Sequence, residues 1–116
     1  MARIGTFTQK ERCFFGRLQT FSLDVALCIL PIQPTNADNA PDYRIHLGQD
    51  GRGLSVGVGW SQRDVNDVSY IKIVLDDPTW GEPIRAILFA SKLEMDRGKG
   101  IHYLDWSHAS RRRWAR

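Results

Sequence analysis

Hydrophobic and polar positions alternate with a period of two along much of the chain, and the pattern is cleanest between Ser69 and Phe89. Ile71, Ile73 and Leu75 alternate with Tyr70, Lys72 and Val74, so a strand places the two sets on opposite faces, with Lys72 on the wetter one. Beyond a break at residues 76–83, Ile84, Ala86 and Leu88 alternate with Arg85, Ile87 and Phe89. Both of these sets carry apolar residues, which predicts cover on both sides or a second sheet nearby. Residues 69–75 and 84–89 therefore read as a long hairpin. Asp77-Pro78 starts its break, because Pro78 lacks an N–H and turns Asp77 away from helix. Gly81 and Pro83 keep either strand from running through the loop.

The rest of the chain extends this pattern. Residues 3–8 predict a first strand, 9–12 a polar connection, and 13–21 a second strand with Gly16 inside it, at a bulge or a close packing contact. Residues 23–30 form an apolar run ended by Pro31, which predicts a buried strand. Residues 33–42 read as a loop. Tyr43, Ile45 and Leu47 alternate with Arg44 and His46 in a half-buried strand, and residues 48–53 form a turn. Leu54, Val56, Val58 and Trp60 then alternate with Ser55, Gly57, Gly59 and Ser61, giving one bulky and one nearly bare face. Residues 62–68 and 91–99 are polar loops, and residues 100–106 a last strand. The sum is an all-β domain of about eight short, mainly antiparallel strands, in a sandwich or partly open barrel. An uncovered edge strand in such a sheet would permit pairing between copies.

At 116 residues the chain is one domain, long enough to bury a core without staples. Residues 1–107 are assigned to the all-β domain and 108–116 to a basic C-terminal tail. Arg111, Arg112, Arg113 and Arg116 create the basic balance: without them 12 Lys and Arg face 13 Asp and Glu, a body of net charge −1. Attraction to polyanions should therefore concentrate in the tail. No stretch approaches the length of a membrane helix and the first ten residues lack an apolar signal region, so the expected location is cytoplasmic. Cys13 and Cys28 sit in apolar runs and read as buried free thiols.

Candidate chemistry is sparse. Asp76 and Asp77 are neighbours, and neighbouring strand residues point to opposite faces, so turn capping is favoured over a metal or catalytic pair. Gly57-Val58-Gly59 lies within a strand and lacks the turn and helix of a dinucleotide site; the glycines make room for backbone or large side chains across that face. His46 reads as solvent-facing and His102 as packed beside Trp106. No nucleophile motif, metal spacing or cofactor fingerprint appears, which predicts neither enzyme activity nor a cofactor.

Five blocks recur in order and spacing in one known family: Ile4-Gly5-Thr6-Phe7-Thr8, Ala40-Pro41-Asp42-Tyr43-Arg44, the Gly-x-Gly-Trp ending at Trp60, Leu75-Asp76-Asp77-Pro78, and Trp106-Ser107. On these the chain resembles the small bacterial domain-of-unknown-function family seven-three-six. The resemblance implies an all-β domain and a mobile-element setting, on conjugative plasmids and integrative elements. It transfers no catalytic residue. The chain departs from the family pattern at Val58-Gly59, at Trp80 and at His108-Ala109.

Two binding functions follow as expectations. The first is nucleic-acid binding, with Arg111, Arg112, Arg113 and Arg116 pairing phosphates, Trp114 stacking on a base, and Arg44 and Arg85 extending a basic path over the strands. The second is a protein-interaction module that binds or inhibits a conjugation, restriction or CRISPR component. There Trp80 and Arg85 supply the residue types that anchor interfaces. Trp80 is open between the core and a recognition surface. Nucleic acid ranks ahead of protein as the partner.

Overall fold

The computed structural model describes residues 2–33, 38–79 and 81–106. Eight strands follow one another: β1 (Ala2–Lys10), β2 (Cys13–Gln19), β3 (Asp24–Pro31), β4 (Tyr43–Leu47), β5 (Ser55–Arg63), β6 (Ser69–Leu75), β7 (Ile84–Ala90) and β8 (Ile101–Trp106). Each pairs antiparallel with the next, and β8 pairs with β1, so the sheet closes into an up-and-down barrel. A 3-10 turn at Glu94–Asp96 interrupts the β7–β8 connection.

The expected all-β architecture is observed, in its fully closed form. Closure corrects two expectations. The described strands leave no free edge, so pairing between copies through an edge has no template here. The apolar outward residues of β7 are also not covered by a second sheet: Ile87 and Phe89 are half-exposed on the barrel's outer wall.

Eight strands enclose an interior just wide enough to be filled by side chains. Phe7, Leu27, Ile29, Ile45, Ile73, Leu75, Leu88 and Leu104 fill it, each at most 2% exposed. Such packing needs bare positions opposite the large ones. Gly16 faces inward beneath Phe7: a Cβ there would sit 2.7 Å from Phe7 Cα and would collide with the Thr6 carbonyl oxygen. The bare face of β5 is likewise the inner one. Gly59 lies under Ile71 and Ile73, each 3.0 Å from where its Cβ would be, while Val58 and Trp60 point outward. The register slips between Ile45 and His46, which pair with Gly57 and Ser55. That bulge leaves Val56 unpaired with β4, and it packs on the core beside Gly57.

The β4–β5 turn folds back over β3, with Gly48 N–H donating to Ala26 O and the Gln49 amide to Gly16 O. Cys28 is on an outward position, paired with Phe15 and His46, and is fully buried; Cys13 is half-buried, and both are free thiols. His102 departs from expectation. It lies at the far end of β8 from Trp106, edge-on to Phe14 at 4.9 Å, with its Nδ1–H donating to Gly100 O.

Gly16→Ala is expected to destabilise the barrel by about 1–3 kcal/mol through overpacking, roughly 4–6 °C in Tm per kcal/mol at this size. Gly81→Ala, with no atom within 4 Å of the added methyl, should leave Tm in place. Thermal unfolding by circular dichroism compares them, and equal Tm values for the two variants would contradict this packing.

Candidate functional site

The register of β3 to β7 brings Arg44 and Arg85 into one outward row. Leu30 pairs with Arg44, Arg44 with Val58, Val58 with Val74 and Val74 with Arg85. Three strand spacings separate the two arginines, about 14 Å of backbone. Neither forms an ion pair among the described residues. Arg44 is exposed and Arg85 half-exposed, with two half-exposed valines between them.

The adjacent outward row reads Trp60, Lys72, Ile87, Asp105, Arg3. Lys72 Nζ sits 5.8 Å from the Trp60 ring centroid, within cation–π range. Arg3 Nε donates to Asp105 Oδ1 at 3.2 Å, and its guanidinium lies 3.8 Å from the Tyr103 ring centroid. Asp105 is 8% exposed, so Arg3 supplies the counterion of a nearly buried carboxylate. Tyr70, Phe89 and Tyr103 continue the wall towards the β5–β6 and β7–β8 loops, and all three rings are half-exposed. Val68, Tyr70, Ile87 and Phe89 border a shallow cleft of about 380 Å³ there. The outer wall of β4–β8 thus carries the cations Arg44, Lys72 and Arg85, four aromatic rings and the apolar Val58, Val74 and Ile87, with Asp105 already paired to Arg3 of β1.

The β7–β8 loop is tied to this wall through Asp96. Its Oδ2 accepts from Ser91 Oγ–H at 2.6 Å and from Tyr103 O–H at 2.8 Å. These two bonds, Ser91 first, hold its carboxyl below the ordinary aspartate value. A second set of bonds fixes the approach to β4. Asp42 Oδ2 accepts from Ser61 N–H at 2.8 Å, Asp42 N–H donates to Gly59 O at 2.8 Å, and Trp60 Nε1–H donates to Asn39 O at 2.9 Å. The Ala-Pro-Asp-Tyr-Arg block and the Gly-x-Gly-Trp block are therefore physical neighbours. Together they fix Arg44 and Trp60 on the wall.

Asp76 and Asp77 act as turn caps. Asp76 Oδ1 accepts from Asp77 N–H at 2.9 Å, and Asp77 Oδ2 accepts from both the hydroxyl and the N–H of Thr79. The Thr79 hydroxyl, then its N–H, draws the Asp77 carboxyl below its ordinary value. His46 is half-buried, its Nδ1–H donating to Gly53 O at 3.0 Å, where a solvent-facing ring was expected. Among the described residues no group of three or more His, Cys, Asp and Glu is placed to hold a metal ion, and no helix is long and apolar enough to cross a membrane. Trp80, and the tail residues Arg111, Arg112, Arg113, Trp114 and Arg116, lie outside the described residues.

Of the site residues expected from sequence, the structure thus places Arg44 and Arg85, and places them in one row. Arg3, Trp60, Lys72, Phe89 and Tyr103 were not singled out. Strand parity could have found part of this set, since Tyr70, Lys72 and Val74 share one face of β6, as do Arg85, Ile87 and Phe89 on β7.

A closed eight-stranded antiparallel meander with a cation-framed aromatic outer wall defines a small up-and-down β-barrel protein. A family model described as "Protein of unknown function (DUF736)" matches residues 3–109, nearly the whole chain. The chain belongs to that family. No curated protein and no solved structure matches it.

The Asp96 carboxyl should titrate below 3.8, the ordinary value. Because the folded state favours the ionised form, its contribution to holding the loop is complete above 3.8 and is lost as pH falls through the lower folded value. Tyr103→Phe removes one donor and should move the midpoint up. Carboxyl carbon NMR titration reads both, and a wild-type midpoint at or above the ordinary value would contradict the geometry.

Proposed function

We propose that this protein is a non-enzymatic accessory protein of a mobile genetic element that binds single-stranded nucleic acid on the outer wall of β4–β8, with the arginine tail as a further phosphate anchor. The observation that carries the reading is the single outward row in which Arg44 and Arg85 stand without acidic partners among the described residues, beside half-exposed rings. Guanidinium groups pair phosphates with little loss of their own hydration. Rings on a β-surface stack bases without regard to sequence, which suits single strands. A duplex presents few unstacked bases to such a wall, so the preference is for single strands. The mobile-element setting is what the family resemblance implies, and the location proposed with it is cytoplasmic.

A second reading, a protein-interaction module, is favoured by one observation. The loops at the Phe89 end of the wall expose Val65 (99%), Met95 (72%), Leu93 (51%) and Val68 (47%). Such apolar tips suit a protein partner, for instance a component of conjugation, restriction or CRISPR machinery.

Fluorescence anisotropy with labelled oligothymidylate, across a salt series, tests the first reading. The full chain should bind more weakly as salt rises. Arg44→Ala with Arg85→Ala should flatten the log–log salt slope by about 0.7 for each phosphate that is no longer neutralised. Phe89→Ala should cost about 1–3 kcal/mol if a base stacks there. Full affinity in the double-arginine variant would move binding off the wall and onto the tail. No binding by the full chain at low salt would overturn the nucleic-acid reading and leave the protein partner.

A further inference from the structure

The barrel is finished differently at its two ends. At the end bearing the β1–β2, β3–β4, β5–β6 and β7–β8 connections, the interior ends in aromatic rings, with Phe14 buried and Tyr43 and His102 half-buried. Phe14 packs edge-on against His102 at 4.9 Å and against Tyr43 at 6.0 Å. At the opposite end the inward hydrocarbon stays partly wet. Leu23, Val25, Leu47, Val56, Ile84 and Trp106 all pack on the core, yet all are only half-buried.

Part of that wet hydrocarbon lines a cavity of about 210 Å³. Its walls are aliphatic, from Leu23, Val25, Leu47, Val56 and Leu75, and Asp76, Asp77 and Thr79 stand at its rim. No cationic side chain among the described residues lines it. The described loop residues around this end carry Asp50, Asp76, Asp77 and Glu82 against Arg52 alone. The capping bonds engage Asp76 Oδ1 and Asp77 Oδ2, and the second oxygen of each carboxylate lies outside those bonds. The Thr79 bonds also draw the Asp77 carboxyl below its ordinary value. An apolar hollow edged by fixed negative charge selects a ligand with an apolar body and a positive head. A cavity of about 150 Å³ accepts benzene, so this one accommodates a body of about eight non-hydrogen atoms.

We propose that the mouth formed by the described residues of the β2–β3, β4–β5 and β6–β7 connections is a binding cup for a small organic cation, an alkyl or single-ring body carrying a protonated amine. The body displaces water from Leu23, Val25, Leu47 and Val56, and the ammonium sits at Asp76 and Asp77. The cup lies at the end of the barrel away from Phe89 and does not depend on the nucleic-acid reading.

Methyl-resolved NMR titration of the full chain tests it, with phenethylammonium as the probe. The neutral 2-phenylethanol and the anionic 3-phenylpropanoate serve as matched comparisons. Phenethylammonium should shift the methyls of Leu23, Val25, Leu47 and Val56 saturably and bind at least tenfold more tightly than the anion. Asp76→Asn with Asp77→Asn, which keeps the amide oxygens as turn acceptors, should erase that preference while 2-phenylethanol still binds. Val56→Phe should fill the cup and weaken cation and alcohol alike. Absence of saturable shifts, shifts centred away from the mouth, or equal binding of cation and anion by the intact protein would each overturn the proposal, whatever the variants do.

Discussion

The pairing of the first strand with the last is the constraint on which the rest of the structure depends. Six residue pairs, from Ala2 with Trp106 to Thr8 with Ile101, join β1 to β8 and turn a curled sheet into a barrel. Arg3 reinforces that seam from outside. It pairs with Asp105, 102 positions away in sequence, and stacks on Tyr103 of the same strand. Removing Arg3 would leave a nearly buried carboxylate without its counterion, the costly way to break such a pair. Closure also sets which side chains face inward, and so which remain for the wall. Arg44, Val58, Val74 and Arg85 are a row because four strands keep register across it, and they keep register because the interior admits one packing.

The interior shows how a small barrel fills its middle with side chains. Bare positions at Gly16 and Gly59 lie against Phe7 and against Ile71 and Ile73, so large and small side chains alternate around the circumference. The bulge opposite Ile45 adds Val56 to the inner set. The rings of Phe14, Tyr43 and His102 then pack together at one end, while the other end presents aliphatic side chains edged by carboxylates. A single fold therefore exposes two chemically distinct surfaces, a cationic aromatic wall and an acidic mouth.

Much of this was legible in the chain. Residues 43–47 and 69–75 are strands with the boundaries that alternation and turn residues predict, because Asp42 and Gly48 bound the first and Asp76-Asp77-Pro78 ends the second. Strands β1 and β5 run past their apolar alternation into Lys10 and Arg63, where pairing partners rather than hydrophobicity sustain them. Closure was not legible, because β1–β8 pairing is decided by residues about a hundred positions apart. The same limit applies to the site. Arg44 and Arg85 stood out as strand arginines, but only the register of β5 and β6 aligns them. The half-exposed face of β7 looked like a covered one, since Ile87 and Phe89 are as apolar as core residues. His102 looked like a neighbour of Trp106, but its inward position at the far end of β8 places it against Phe14.

Register, by aligning Arg44 with Arg85 beside half-exposed rings, is what would make the outer wall a surface for single-stranded nucleic acid. Amide and indole chemical-shift mapping of the full chain with oligothymidylate tests this central claim most directly. Perturbations are expected along Arg44, Val58, Val74 and Arg85 and at the Trp60 indole, fading towards Cys13 and Arg17 on the opposite side of the barrel. Perturbations confined to residues 107–116, or none at all, would contradict it.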